Sequence, residues 1–516
     1  MALGSLFAEH PPLPVLARLS SYRWLVVGTV CVGAFLGQLD ASIATLVLPT
    51  LESVFQGPVA TVEWVALAYL LALAALVVPF GRLADLVGRK MLYTTGFVVF
   101  IVGSALCGWA PSLSWLIVFR VVQAVGAAML QANSVAIIAS AARPWELGRA
   151  IGVQGAAQAV GLAVGPSVGG LLIAHLGWEW VFFIAVPFGL LGAALGWFVL
   201  PLTAHEPRPG PRERFDWPGA ALFGPAIAAA LLALSYADVW GWTSLTLVGV
   251  VVLAALMFGV FLLVERRALY PLVDFTLFRH RLFTAGISAG LLSYAVLFGS
   301  LFLLPFTLER VLGYDAGAAG LLLSPVPVAL GIVAPAAGLF TDRVGSRLPT
   351  VTGMLIAAAA LGGLALAPHA ALPVVLGLLV LLGAGVGLFT PANNSAIMAS
   401  APPHRRGLAA GLLNMTRSLG TSLGVAGTGA VLAAGLAAQT GEPIKRTLDV
   451  PLTALVPAIQ IAFLFLAVLA CLTAVISAVR GAVAAARPTL ETPPEGAVSP
   501  PGPAAGGERT AGIPSG

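Results

Sequence analysis

Fourteen separate apolar runs, each near the length that crosses a bilayer, constrain this chain more than any motif within it. They lie near residues 24–48, 61–80, 91–110, 113–138, 150–174, 180–200, 217–236, 243–264, 282–308, 317–340, 348–367, 372–398, 407–434 and 456–479. A helix needs roughly 20 mainly apolar residues to span the hydrocarbon core. Gly and Pro recur inside the runs, which membrane helices tolerate better than soluble ones. Only 9% of the residues are charged and mean hydropathy is +0.99, whereas soluble domains carry about 25% charged residues. Such a chain cannot cover itself in water, and the expected fold is an all-α polytopic membrane protein.

Basic residues set the expected orientation. With the N-terminus inside, 21 of the 26 Lys and Arg residues fall on the cytoplasmic side. Arg310, Lys445 and Arg446 fall outside, and Arg120 and Arg417 lie within spans. That is the positive-inside bias, and an even number of spans puts both termini in the cytoplasm. The net charge of +5 follows this topology instead of forming a patch, so nucleic acid is not an expected partner. Cys31, Cys107 and Cys471 sit in apolar runs without metal-ligand spacing and read as small buried hydrophobes. No cleavable signal peptide is visible in the Pro-containing first twenty residues, and the first span is expected to serve as its own insertion signal.

The expected organisation begins with a cytoplasmic N-terminus (1–22) and a six-helix bundle (23–201). A charged cytoplasmic linker (202–216) leads to an inserted helix pair (217–264), and a second linker (265–281) precedes another six-helix bundle (282–480). The longest outside loop covers 435–455, and the Pro-, Gly- and Ala-rich tail (481–516) reads as disordered. A repeat supports the two bundles. GRLADLVGRK (81–90) follows the second span and GLFTDRVGSR (338–347) the tenth, with matched Gly, Asp, Gly and basic positions. Parallel six-span repeats are how many transporters build two halves around a central site.

At these residues the sequence resembles the major facilitator superfamily, in its fourteen-span drug:proton antiporter branch (EmrB/QacA-type). GRLADLVGRK is similar to the loop motif between spans 2 and 3, and RVVQAVGAA (120–128) to the span 4 motif with its embedded Arg. GLAVGPSVGG (161–170) resembles the antiporter motif of span 5, contributing Gly161, Gly165, Pro166, Gly169 and Gly170. LDASIATLVLP (39–49) resembles the span 1 motif of that branch. WEWVFFIAVPFG (178–189) sits where the branch carries a Trp-Arg-Trp pattern, with Glu179 in place of Arg and Ala185 in place of Asn. The resemblance implies two pseudo-symmetric six-helix bundles plus two extra central helices, fourteen transmembrane helices in all.

Three ionisable side chains lie well inside the spans: Asp40, Arg120 and Arg417. A charge there is costly unless it faces a cavity or a partner, which makes each a functional candidate. Asp40 lies about 24 Å along span 1 from its cytoplasmic end, and Arg120 about 10 Å into span 4 from its outer end, at 1.5 Å per residue. Those depths are compatible, and the resemblance places spans 1 and 4 side by side. Asp40 and Arg120 are therefore expected to interact, directly or through water or Gln123. Desolvation and a nearby Arg push an aspartate's proton affinity in opposite directions, and alternating access would change both, as proton coupling requires. The plain alternative is a fixed ion pair that only ties the two spans together.

Polar residues at helical spacing supply the rest of the expected cavity. Arg120, Gln123, Gln131 and Ser134 share one face of span 4. Gln154 and Gln158 lead into the glycine ladder of span 5, and Asn414, Arg417 and Thr421 line up on span 13. Asn393 and Asn394 are consecutive, so only one can point fully into a cavity, and Asn393 is the candidate taken. Interhelical hydrogen bonding without substrate contact is the competing reading. The glycine ladder and Pro166 are expected to bend span 5 and seal one side of the cavity, or else to make a tight crossing only. Gly81, Arg82, Asp85, Gly88, Arg89 and Lys90, with Gly338, Asp342 and Arg343 in the repeat, are the expected cytoplasmic gate, in short loops.

The chain has two lysines, Lys90 and Lys445, and no GxxxxGK[ST], so no P-loop for ATP is present. GAGVG at 383–387 lies in an apolar span and reads as helix packing. No HExxH or paired-cysteine metal site and no catalytic constellation appears, so an enzyme is not expected. No cofactor is expected; a proton gradient is the expected energy source. The leading expectation is a proton-coupled exporter of lipophilic, often cationic, small molecules in a bacterial plasma (inner) membrane. Its expected partners are protons, the lipid bilayer and the substrate, with a periplasmic adaptor left open. A specific metabolite exporter or uptake symporter of the same fold, and a non-transporting scaffold or sensor, are the competing readings.

Overall fold

A computed structural model describes residues 11–55, 59–62, 64–202, 215–241, 244–269, 271–273, 275–314, 316–440 and 451–479. Most of the linker 202–216, the tail 481–516, and Lys445 and Arg446 lie outside the described residues. Among the described residues, fourteen helices are long and apolar enough to cross a membrane. In the first half these are α1 (Tyr22–Leu46), α2 (Trp64–Val87), α3 (Arg89–Gly108), α4 (Leu113–Ala141), α5 (Leu147–His175) and α6 (Trp180–Val199). The inserted pair is α7 (Trp217–Trp240) and α8 (Leu245–Glu265). The second half comprises α9 (Arg281–Val311), α10 (Ala318–Val344), α11 (Arg347–Leu366), α12 (Leu372–Ser400), α13 (Arg406–Thr440) and α14 (Leu452–Val479). No strand occurs among the described residues.

Helix is forced on these segments because every backbone polar group must be paired inside lipid. Their starts are set by ordinary capping chemistry. Ser112, Asp216 and Ser244 accept the backbone N–H of Trp115, Gly219 and Leu247 at the beginnings of α4, α7 and α8.

The halves repeat one packing scheme. In the first, α1 packs on α5, α2 on α4 and α3 on α4; in the second, α9 packs on α13, α10 on α12 and α11 on α12. The halves meet along two equivalent seams, α2 against α13 and α10 against α5. α7 and α8 pair with each other, and α7 leans on α2 and α13, covering one seam. α8 turns Leu245, Val252, Leu256 and Leu263 outward, a lipid-facing surface.

The repeated motif forms the ends of two helices instead of loops. α2 continues through residues 81–87 and α10 through residues 338–344, so Asp85 and Asp342 sit in last helical turns. The reason lies in their glycines. Gly88 (φ 106°) and Gly345 (φ 83°) end the two helices in backbone conformations that side chains rarely adopt. Gly81 and Gly338, two turns earlier, touch the backbone of α13 and α5: a methyl group at either would collide with the carbonyl oxygen of Gly407 or Gly148. The segment 265–281 is also no extended linker. It folds back through a short 3-10 turn, Phe275–Arg279, burying Leu272, Val273 and Leu277. The Val273 N–H donates to the Glu265 carboxylate there (2.5 Å).

Fourteen alternating spans place both motif turns at the same end of the bundle as the chain's described termini. The N-terminal segment confirms the register by donating from Leu13 N–H to the Phe198 carbonyl at the close of α6 (3.0 Å). This is termed the basic end below.

Candidate functional site

The three intramembrane charges fall into two places. Asp40 on α1 and Arg120 on α4 form a buried ion pair, with Arg120 Nη1 donating to Oδ2 at 3.0 Å and Oδ1 at 3.2 Å. The same Nη1 donates to Gln123 Oε1 (2.6 Å), and Gln123 Nε2 donates onward to Asp40 Oδ1 and Ser104 Oγ (both 2.8 Å). Arg120 Nε donates to the Val65 carbonyl (3.0 Å). Its guanidinium lies 4.2 Å from the ring centre of Tyr69 and 5.7 Å from that of Phe182. Cys107 Sγ makes a weak 3.8 Å contact with Gln123 Oε1. Asp40 is 5% exposed and Arg120 only 1%. Removing one partner from such a pair typically costs about 3–5 kcal/mol, because the other charge is left buried alone.

Spacing alone pairs residues one helical turn apart, so it finds Gln123 beside Arg120. It does not find Ser104 on α3 or Tyr69 on α2, whose roles arise only from packing. Phe182 carried a weak signal, as part of the aromatic segment that opens α6.

Arg417 lies apart from this pair, in the wall of a chamber between the halves. Two adjoining spaces share Gln38, Leu162, Phe298 and Arg417. Gln154, Gln158 and Asn414 line one, and Gln131 lines the other. Arg417 Nη1 approaches Gln158 Oε1 at 3.4 Å, and Asn414 Nδ2 donates to the Gln131 carbonyl (2.8 Å) across the halves. Asn393 is not in this wall. Its Nδ2 donates to the Gly286 carbonyl on α9 (3.0 Å), while Asn394 faces the chamber. Consecutive helical residues point about 100° apart, and the tight α9–α12 packing claims the first.

The glycine ladder joins helices of the same half. Gly161 and Gly165 lie against Phe35, Leu39 and Ser42 of α1, and Ser42 Oγ donates to the Leu162 carbonyl (3.0 Å). Gly169 is buried, Gly170 is exposed, and the Pro166 side chain lies outside the described residues. α5 is therefore held close to α1, which carries Asp40. The cysteines divide: Cys107 is buried, Cys31 partly so, and Cys471 is exposed on α14.

The gate candidates form two latches across the seams. Asp85 accepts the Gly407 and Leu408 N–H groups at the start of α13 (2.9 and 3.0 Å). Asp342 accepts the Gly148 and Arg149 N–H groups at the start of α5 (2.7 and 2.9 Å). Each carboxylate thus caps a helix N-terminus in the opposite half, where unpaired donors and the helix dipole favour a negative charge. Arg89 pairs with Asp85 (2.8 Å) and donates to Ser140 Oγ (2.8 Å) and, across the seam, to the Pro403 carbonyl (2.9 Å). Lys90 is buried and caps the end of α6 through the Leu200 carbonyl (2.8 Å). Arg82 is buried and Arg343 exposed. The receiving glycines escaped sequence reading, although Gly148 and Gly152, and Gly407 and Gly411, share a four-residue spacing at the starts of equivalent helices.

The comparisons with known proteins agree with this architecture. The Major Facilitator Superfamily model matches residues 30–218 and 217–425. The riboflavin transporter RibZ of Clostridioides difficile is 34% identical over 405 residues, spanning 78% of this chain and 87% of its own. The multidrug resistance protein Stp of Mycobacterium tuberculosis is 33% identical over 421 residues, spanning 81% and 78%. Among solved structures, the human organic anion transporter MFSD10 shares the fold at a TM-score of 0.63 and 16% identity, covering 88% of this chain and 99% of its own. With fourteen spans, two half-bundles and these matches, the chain belongs to the major facilitator superfamily and is a membrane transporter, not an enzyme.

Proposed function

We propose that this transporter exports lipophilic small molecules in exchange for protons, by alternating access, from a bacterial plasma (inner) membrane. In this reading both termini are cytoplasmic and the latched basic end is the closed cytoplasmic gate. The observation that carries the reading is the buried Asp40–Arg120–Gln123 network beside a chamber closed at the basic end. A proton arriving from outside neutralises Asp40 and frees Arg120 Nη1 from both carboxylate oxygens. Its release to the cytoplasm restores the pair. Each charge moved inward supplies about 2.3 kcal/mol per 100 mV. The relative named as a multidrug resistance protein supports a role in drug resistance, which export would serve.

Inside-out vesicles acidified within provide the test. Adding lipophilic compounds to wild-type protein is expected to release lumenal protons, and Asp40→Asn to abolish the release. Unchanged release in Asp40→Asn would move coupling to another residue. The relative named as a riboflavin transporter favours a specific metabolite as substrate, and uptake of such a flat heteroaromatic compound is the second reading. Accumulation in right-side-out vesicles but not in inside-out ones would establish that alternative.

A further inference from the structure

The chamber between the halves carries one formal charge, and it is positive. Among the described residues, Arg417 is the sole ionisable one besides tyrosine in the walls of its two adjoining spaces, which are otherwise amide, hydroxyl and apolar. Asp40 does not line either space, and its carboxylate is already engaged by Arg120 and Gln123. A guanidinium offers five N–H donors. For Arg417 the described partners are a long 3.4 Å contact to neutral Gln158 and the Tyr294 ring, 5.7 Å from the guanidinium carbon. No carboxylate lies within ion-pair distance of it among the described residues.

A second, independent observation concerns Tyr69. It lines the same space as Arg417, is 1% exposed, and its hydroxyl has no hydrogen-bond partner among the described residues. Its ring face is occupied by Arg120, so the hydroxyl is the part left to act. A buried hydroxyl without a partner is costly, and a ligand oxygen would satisfy it. Phe298 lies in the wall of both spaces, and Tyr294 borders the one beside Gln158.

We propose that the chamber selects organic anions: flat aromatic bodies carrying a carboxylate. Arg417 takes the carboxylate, Tyr69 donates to a further acceptor oxygen, and Phe298 and Tyr294 cover the ring system. The inference rests on the export reading for the chamber's role, and it narrows the substrate class. A cationic substrate would meet Arg417 with no free carboxylate to receive it. The cations expected from sequence are thereby disfavoured.

Equilibrium binding to purified full-length protein in nanodiscs tests this without requiring transport. The probes are fluorescein, which bears a free carboxylate, and rhodamine 6G, a xanthene of similar size whose carboxylate is esterified and whose charge is positive. Wild-type protein is expected to bind fluorescein more tightly. Arg417→Gln should weaken fluorescein binding about 10- to 100-fold, the range for a lost charge-assisted hydrogen bond. Arg417→Lys should retain most of it, and Tyr69→Phe should weaken it by roughly 3- to 10-fold. Thermal unfolding of each variant shows that it is folded, and the wild-type preference between dyes decides if Arg417→Gln is not. Equal or tighter binding of rhodamine 6G, no binding of fluorescein, or an Arg417→Gln affinity within twofold of wild type would each overturn the proposal. Fluorescein bound as expected but never moved in vesicles would instead overturn the export reading.

Discussion

The Asp85 latch and the Asp342 latch share a backbone design and differ in what stands behind the carboxylate. Both carboxylates cap a helix start in the opposite half, and both motif turns end in a positive-φ glycine. Asp85, however, is backed by Arg89, which ties it to Ser140 and across the seam to Pro403. In the repeat, Ser346 occupies the position of Arg89, and Asp342 is half-buried with backbone donors as its described hydrogen-bond partners. The seam of Asp85 is also covered by α7, which packs mainly on α2, α8 and α13 and not on the α5 and α10 of the Asp342 seam. One capping geometry therefore serves a reinforced joint and a lighter one. The lighter joint is expected to open with less work.

Substitutions can break or sharpen that contrast, with spin-label distances across the basic end reporting the closed fraction. The largest effect is expected from Asp85→Asn, which strands Arg89 without its counter-charge and should cost the closed state roughly 3–5 kcal/mol. Asp342→Asn removes a carboxylate held by two N–H groups and should cost roughly 1.5–3 kcal/mol. Equal losses in the two variants would mean that Arg89 adds nothing. Gly88→Ala and Gly345→Ala should each cost about 1–3 kcal/mol through backbone strain alone, and nearly equally, as read from thermal unfolding. A large inequality would show that the turns are not equivalent. Arg343→Ala should change the closed fraction by less than about 0.5 kcal/mol, since that side chain points into solvent at the end of α10.

Much of this fold was legible because lipid leaves a chain few choices. Span lengths fell within a few residues of the helices, and the motif repeat identified two equivalent halves. Asp40 and Arg120 could be matched in depth because rise per residue is constant along a helix. What stayed hidden was which way each helix faces. Outside the polar stripes of spans 4, 5 and 13, most spans are apolar nearly all round, so amphipathicity marks the inner side less than it does in water. The pair Asn393 and Asn394 shows the result: polarity identified the place, and the packing of α9 decided which one reaches the chamber. Tyr69 and Ser104 carried no signal, since neither is unusual in a membrane helix and both matter through neighbours far off in sequence. The motif aspartates read as loop residues because two glycines and several charges mimic a turn, yet the first glycine of each motif is there for helix contact.

The network that holds Asp40 is drawn from one half of the molecule. Arg120, Gln123, Ser104, Val65 and Tyr69 all belong to the first half-bundle. Under the alternating-access reading, rocking of the halves about their seams carries the whole network within that half, with its internal distances preserved. Motion then alters how much water reaches the carboxylate, and from which side, while its neighbours stay the same. Under the exchange reading, the proton site resembles a sealed berth whose hatch changes sides, and the timing of proton movement is set by the chamber walls.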